Sequence, residues 1–96
     1  MERFTKKLSG QEVRGEYILL QRGRENLFPS RGEFDVAHGE DTYKAFVERE
    51  EDKSMGPRKK TFKFMLTFPD EKPPVFEYRK TVVLEGEGKS WTIAVE

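Results

Sequence analysis

An all-β fold, a small barrel or pseudobarrel of six to seven mostly antiparallel strands with at most one short helix, is what this sequence predicts. Three observations carry that expectation. In Thr61-Phe-Lys-Phe-Met-Leu-Thr-Phe68, residues Phe62, Phe64, Leu66 and Phe68 share one parity, and Thr61, Lys63, Met65 and Thr67 share the other. That is a period of two built from strand-forming residues. Trp91, Ile93 and Val95 repeat the alternation at the C-terminus. Glycine and proline turn signals separate short apolar runs along the chain, with no internal repeat. Ninety-six residues suffice for one domain.

Residues 1–12 are polar and read as a flexible N-terminal arm, leaving 13–96 as a single barrel-like domain. Ser9-Gly-Gln-Glu12 has the residues of a capping box, but it stands so close to Tyr17 that it reads as a turn. Tyr17–Leu20 is apolar at both parities, which points to a strand buried on both faces or to a bulge. Gly23-Arg-Glu-Asn26 breaks it, and Leu27-Phe-Pro-Ser-Arg-Gly32 reads as a β-turn with Pro29 presetting φ. Glu33–Ala37 alternates again, with Phe34 and Val36 on one face, and His38-Gly-Glu-Asp41 is a hairpin loop.

Thr42–Arg49 is the return strand of that hairpin. Tyr43, Phe46 and Val47 also share a helical face, with Asp41 as an N-cap, but the Tyr43/Ala45/Val47 alternation behind a glycine turn favours the strand. Glu50–Lys60 is a charged, exposed loop. Pro69–Pro74 stops the strand before it, since consecutive prolines cannot join a central ladder. Val75–Leu84 reads as one long or bent strand with Phe76, Tyr78, Val82 and Leu84 inward, and Glu85–Lys89 as the glycine-opened loop before the last strand. The expected core is Tyr17, Leu19, Phe34, Val36, Phe62, Phe64, Leu66, Phe68, Trp91 and Ile93.

Composition narrows the function. Hydrophobic residues make up 34% and charged residues 38%, so the core is thin and the surface heavily solvated. Aromatics at 12%, eight of them Phe, argue against disorder. No apolar run approaches the roughly 20 residues of a membrane span, and Met1–Lys7 lacks the apolar core of a signal peptide. The absence of cysteine excludes disulfide scaffolds, zinc ribbons and thiol nucleophiles. A cytoplasmic protein without membrane association, cofactor or metal is expected.

One catalytic pattern is present literally. Pro69-Asp70, then Glu87-Gly88-Lys89, spells the PD…ExK arrangement of metal-dependent nucleases, in which the two carboxylates hold a divalent ion and lysine positions or activates water. Here Asp70 sits in a proline-rich loop, Glu87 lies between two glycines, and flanking helices are missing, so turn residues are the simpler reading. His38, the lone histidine, has Asp35, Glu40 and Asp41 nearby and reads as a hairpin-loop side chain rather than a zinc ligand. Ser9, Ser30, Ser54 and Ser90 lack a glycine elbow, and Gly86-Glu-Gly88 is too short and acidic to cradle phosphate. Catalysis is not expected.

Charge distribution says more than net charge. Eighteen Lys+Arg balance eighteen Asp+Glu, yet residues 1–31 hold seven basic and four acidic side chains, 32–52 two and eight, and 53–69 five and none. Arg58, Lys59 and Lys60, with Lys63 on the polar face of the following strand, are placed to meet a phosphate backbone. So are Arg22, Arg24 and Arg31, in or beside loops, and arginine also suits bidentate readout of guanine. The same charges fit a solvated, self-compensating surface.

The run Glu16-Tyr-Ile-Leu-Leu-Gln-Arg…Leu27-Phe-Pro…Gly32-Glu-Phe-Asp-Val…Thr42-Tyr-Lys-Ala-Phe-Val resembles the opening of small DNA-binding pseudobarrel domains, the barrels of plant transcription factors and of specificity modules of some type II restriction enzymes. A basic loop, a strand and a C-terminal pair, Arg79–Glu85 and Trp91–Val95, continue the likeness over most of the chain from residue 13. The resemblance implies loops that grip DNA from either side of the barrel. The expected function is therefore a non-catalytic module that grips double-stranded DNA through Arg22, Arg24, Arg31, Arg58, Lys59, Lys60 and Lys63. The alternative is a protein-interaction or assembly domain, with a protein partner or second copy docked on an apolar patch around Met55 or Phe28, or on an unpaired strand edge. Third is a metal-dependent nuclease using Asp70, Glu87 and Lys89.

Overall fold

The computed structural model describes residues 1–52 and 61–96. Seven strands form one sheet in the order β1-β6-β7-β3-β4-β5-β2, which curls into a nearly closed barrel, as the strand periodicities predict. They are β1 (Glu2–Lys7), β2 (Tyr17–Leu20), β3 (Phe34–His38), β4 (Asp41–Asp52), β5 (Thr61–Thr67), β6 (Thr81–Glu87) and β7 (Ser90–Val95). One short helix, α1 (Gly10–Gly15), and a single 3-10 turn at Arg24–Leu27 complete the described elements. No helix among the described residues is long and apolar enough to cross a membrane.

All neighbouring strands are antiparallel except β3 and β7. It follows that strands consecutive in sequence always run in opposite directions. The connections therefore alternate between two ends of the barrel. Loop 21–33, the β6–β7 turn and Met1 lie at what we term the upper end; α1, the Gly39-Glu40 turn and loop 68–80 lie at the lower end. β4 ties the halves of the sheet together: Asp41–Ala45 pairs with β3, and Phe46–Asp52 pairs with β5. Residues 42–49 are thus a strand, and Ala45 packs fully buried opposite Phe34.

The core runs through Phe4, Leu8, Ile18, Leu20, Phe34, Val36, Leu66, Phe68, Val82, Leu84, Trp91 and Ile93. At the upper end Phe28 closes it like a plug, its ring 4.5 Å from that of Trp91, 5.7 Å from Phe34 and 6.0 Å from Phe4. Trp91 lies across Gly86, where an added Cβ would stand 2.2 Å from the Ser90 carbonyl oxygen and 2.7 Å from Trp91 Cα. Only glycine allows that approach. The indole Nε1 donates to the Gly88 carbonyl at 3.0 Å.

Several expectations need correction. Residues 1–12 are not a loose arm. β1 pairs with β6 from Glu2↔Gly86 to Lys7↔Thr81, burying Phe4, and Leu8 is 2% exposed. Nor is Ser9–Glu12 a simple turn. Ser9 Oγ accepts the Glu12 N–H, the Glu12 carboxylate accepts the Ser9 N–H, and the capping box starts α1. In β2 the fully inward parity is Ile18 and Leu20, while Tyr17 and Leu19 are half-buried, because Ile18 is in register with Leu66. Phe62 is 45% exposed, since β5 leaves the core at its start; Phe64 is half-buried. Residues 75–80 belong to no strand, with turns at Pro74-Val75 and Tyr78-Arg79 where the first half of a strand is expected, and Tyr78 is 59% exposed. Phe28 is core, 4% exposed, and so forms no docking patch; Met55 falls outside the described residues.

The two edge strands of the sheet, β1 and β2, are linked by one buried carboxylate. Glu12 is 1% exposed. Its Oε1 accepts the Ser9 N–H at 3.0 Å and lies 3.7 Å from Lys6 Nζ of β1; its Oε2 accepts the Leu19 N–H of β2 at 2.8 Å. A buried charge that is hydrogen-bonded twice and paired with a cation is the form in which a carboxylate is tolerated inside.

Candidate nucleic-acid interface

The upper end collects the sequence-predicted basic residues that fall within the described part of the chain. Arg22 lies in the turn that leaves β2, Arg24 opens the 3-10 turn, Arg31 stands just before Gly32 on the approach to β3, and all three are exposed. Lys63 is near the start of β5, at the same end. Arg58, Lys59 and Lys60 lie outside the described residues.

The loop that carries the three arginines is held from within. Arg24 N–H donates to Gln21 O at 2.8 Å, Phe28 N–H donates to Glu25 O, and the Phe28 ring is sunk among Phe4, Phe34 and Trp91. Leu27 packs half-buried against the same core. With Leu27 and Phe28 inward, Arg22, Arg24 and Arg31 are left outward. Among the described residues none of the three is in an ion pair, whereas Lys6, Lys44 and Lys63 are each paired with a carboxylate. Lys63 Nζ lies 3.9 Å from Glu50 Oε1, its register partner on β4, so part of its charge is neutralised.

Of the two carboxylates in this loop, Glu25 is half-buried and Glu33 is exposed beside the arginines. The Oε2 of Glu25 is buried and has no hydrogen-bond partner among the described residues. Glu33 is exposed at the foot of β3 and adds to the field at Lys44, whose ammonium pKa is raised first by its hydrogen bond to Asp35, then by the charge of Asp35, and further by Glu33.

Sequence reasoning missed two upper-end side chains. Lys89 sits exposed in the two-residue turn between β6 and β7, and its sequence context points only to the nuclease pattern. Strand alternation alone would have put its turn at the same end as loop 21–33, since both follow strands of one direction. Arg49 of β4 lies with its guanidinium 4.6 Å from the Phe62 ring centroid, a cross-strand contact that periodicity does not reveal.

The nuclease triad does not converge. Asp70 follows β5 at the lower end, while Glu87 and Lys89 flank the β6–β7 turn at the upper end. His38 ends β3, half-buried, opposite Asp41, and no group of three metal-ligating side chains exists among the described residues. Ser9 is engaged as the N-cap of α1. Comparison with family models, curated proteins and solved structures finds no match to this chain.

Proposed function

We propose that this chain is a non-catalytic, cytoplasmic DNA-binding module of pseudobarrel type that holds duplex DNA against its upper end. The observation that carries the reading is the pinned loop 21–33. Its aromatic residue is buried in the barrel mouth, and its three arginines face outward with no carboxylate partner among the described residues. An unpaired, pre-positioned guanidinium meets a phosphate without first breaking an ion pair or ordering a loop, which is where surface charge is most useful in binding. Lys63 and Lys89 extend the same end, and Arg58, Lys59 and Lys60 belong to the reading by charge and sequence position.

Amide chemical-shift mapping with a short duplex tests it. Perturbed amides should cluster in 21–33, around Lys63 and at 88–90. Shifts centred on 39–41 and 70–80, or no shifts, would refute it.

A second reading rests on the lower end. Tyr78, 59% exposed with the Arg79 guanidinium 5.2 Å from its ring centroid, borders a shallow cleft formed with Gly10, Val13 and Arg14. An exposed aromatic flanked by arginines is a common anchor for a protein partner. Perturbation at the lower end by a protein and not by DNA would favour that reading.

A further inference from the structure

At the lower end, the turn Glu77–Lys80 is fastened to the junction between β1 and α1. The Leu8 N–H donates to the Lys80 carbonyl at 2.9 Å, and the Leu8 carbonyl accepts the Arg79 N–H at 3.1 Å. Leu8 belongs to the core, so the turn hangs from a buried anchor. Arg79 is held at φ 65°, in the left-handed region that a non-glycine residue enters only at a cost. Val75 and Phe76 pack inward ahead of it, and the turn then presents Tyr78 to solvent.

Two cations and an apolar wall meet around that ring. The Arg79 guanidinium lies 5.2 Å from the Tyr78 centroid. A Cβ at Gly10 would meet Arg14 Nη1 at 3.3 Å and Tyr78 Cε2 at 3.5 Å, so both groups border the spot that glycine leaves open. Gly10, Gln11, Val13, Arg14 and Tyr78 line a cleft of about 420 Å³, within the range of about 300–1,000 Å³ typical of binding pockets. Val13, half-buried against the core, is its apolar wall. Arg14 and Arg79 are exposed, and neither is ion-paired among the described residues.

We propose that this cleft receives an acidic peptide segment of a protein partner. Arg14 and Arg79 hold an Asp or Glu carboxylate, and a neighbouring apolar side chain lies against Tyr78 and Val13. The inference rests on the reading of the lower end as a partner surface and is independent of DNA binding at the upper end. Guanidinium forks take carboxylates through paired N–H···O bonds. A nucleic-acid backbone carries the same sign of charge, but the lower end also exposes Glu16, Asp70, Glu71 and Glu77, which repel a row of phosphates. A segment that brings one carboxylate to the two arginines avoids that repulsion. Because the turn is already fastened, little ordering is needed on binding.

Selection from a random-peptide phage library tests it, with the full chain as bait and the Arg14→Ala/Tyr78→Ala variant used for depletion. Recovered peptides should carry Asp or Glu beside an apolar residue. Labelled with fluorescein and titrated by anisotropy, they should bind Arg14→Ala, Tyr78→Ala and Arg79→Gly about tenfold more weakly than the parent protein. Glycine is the replacement at 79 because it keeps the left-handed turn that alanine would strain. Exchanging Asp and Glu for Asn and Gln in the peptide, which leaves the protein unaltered, should weaken binding by a similar factor. The Arg22→Ala/Arg24→Ala/Arg31→Ala variant should bind the peptides as the parent does.

Recovered peptides that lack a carboxylate, or whose affinity survives the Asn and Gln exchange, would overturn the acidic specificity and leave the partner surface standing. No recovery above background, or amide shifts at residues 10–14 and 78–79 caused by duplex DNA, would remove the partner surface as well.

Discussion

Glu12 shows how one side chain closes an open sheet. β1 and β2 are the edges of the strand order and would each present unpaired backbone groups. Through Glu12 the Leu19 N–H of β2, the Ser9 N–H of α1 and the Lys6 ammonium of β1 share one carboxylate. Replacing it with Ala would strand two backbone donors and leave a half-buried lysine without its partner. Glu12→Ala should lower the unfolding free energy by about 2–4 kcal/mol in urea titration, and Glu12→Gln, which retains an acceptor, by roughly half as much. A loss below about 0.5 kcal/mol would mean the carboxylate does not bridge the edges. The capping-box pattern of Ser9 and Glu12 was legible in the sequence; that the same Glu12 reaches Leu19 was not, because seven residues of separation carry no periodic signal.

At the level of elements, legibility followed hydrophobic pattern. β3, β5 and β7 alternate strongly and were readable, as was the β4 strand once its Tyr43/Ala45/Val47 parity was set against the rival helical face. β1 was not. Its lone buried apolar residue, Phe4, lies among charged neighbours, and what makes it a strand is six register pairs with β6. Tertiary pairing, not local propensity, decides such edges. The β2 parity was ambiguous for the opposite reason: all four of its residues are apolar, so register with Leu66 had to choose.

Loop 21–33 is the element on which the functional reading depends, and Phe28 is its anchor. Phe28→Ala should cost about 3–5 kcal/mol through the cavity left among Phe4, Phe34 and Trp91, with Phe28→Leu costing less than half as much. Amides of 22–32 should then exchange hydrogen faster in Phe28→Leu than in the parent protein. Unchanged stability and exchange would show that the loop is not held by this ring.

For the whole molecule, the alternation of strand direction decides which loops, and so which charged side chains, share an end. Arg22, Arg24 and Arg31 were legible as basic loop residues, but their shared end with Lys89 emerged only from the connectivity. Asp70 and Glu87, adjacent in a motif, are separated by the same connectivity. The half-buried placement of Glu25 was illegible because partial burial of one acidic side chain in an exposed turn has no sequence signature.

Phosphate binding at the upper end through loop 21–33, as proposed, has a direct signature in salt dependence. Anisotropy titration of a random-sequence duplex at about 50 and 200 mM salt, with the parent protein and the Arg22→Ala/Arg24→Ala/Arg31→Ala variant, tests it most directly. If each arginine neutralises one phosphate, the three together contribute a salt slope of about −2.7, or about 40-fold in affinity over that range. The parent should lose at least this much, and the variant should bind more weakly with a correspondingly flatter slope. Absence of binding at the lower salt, or a variant with the parent's affinity and slope, would contradict it.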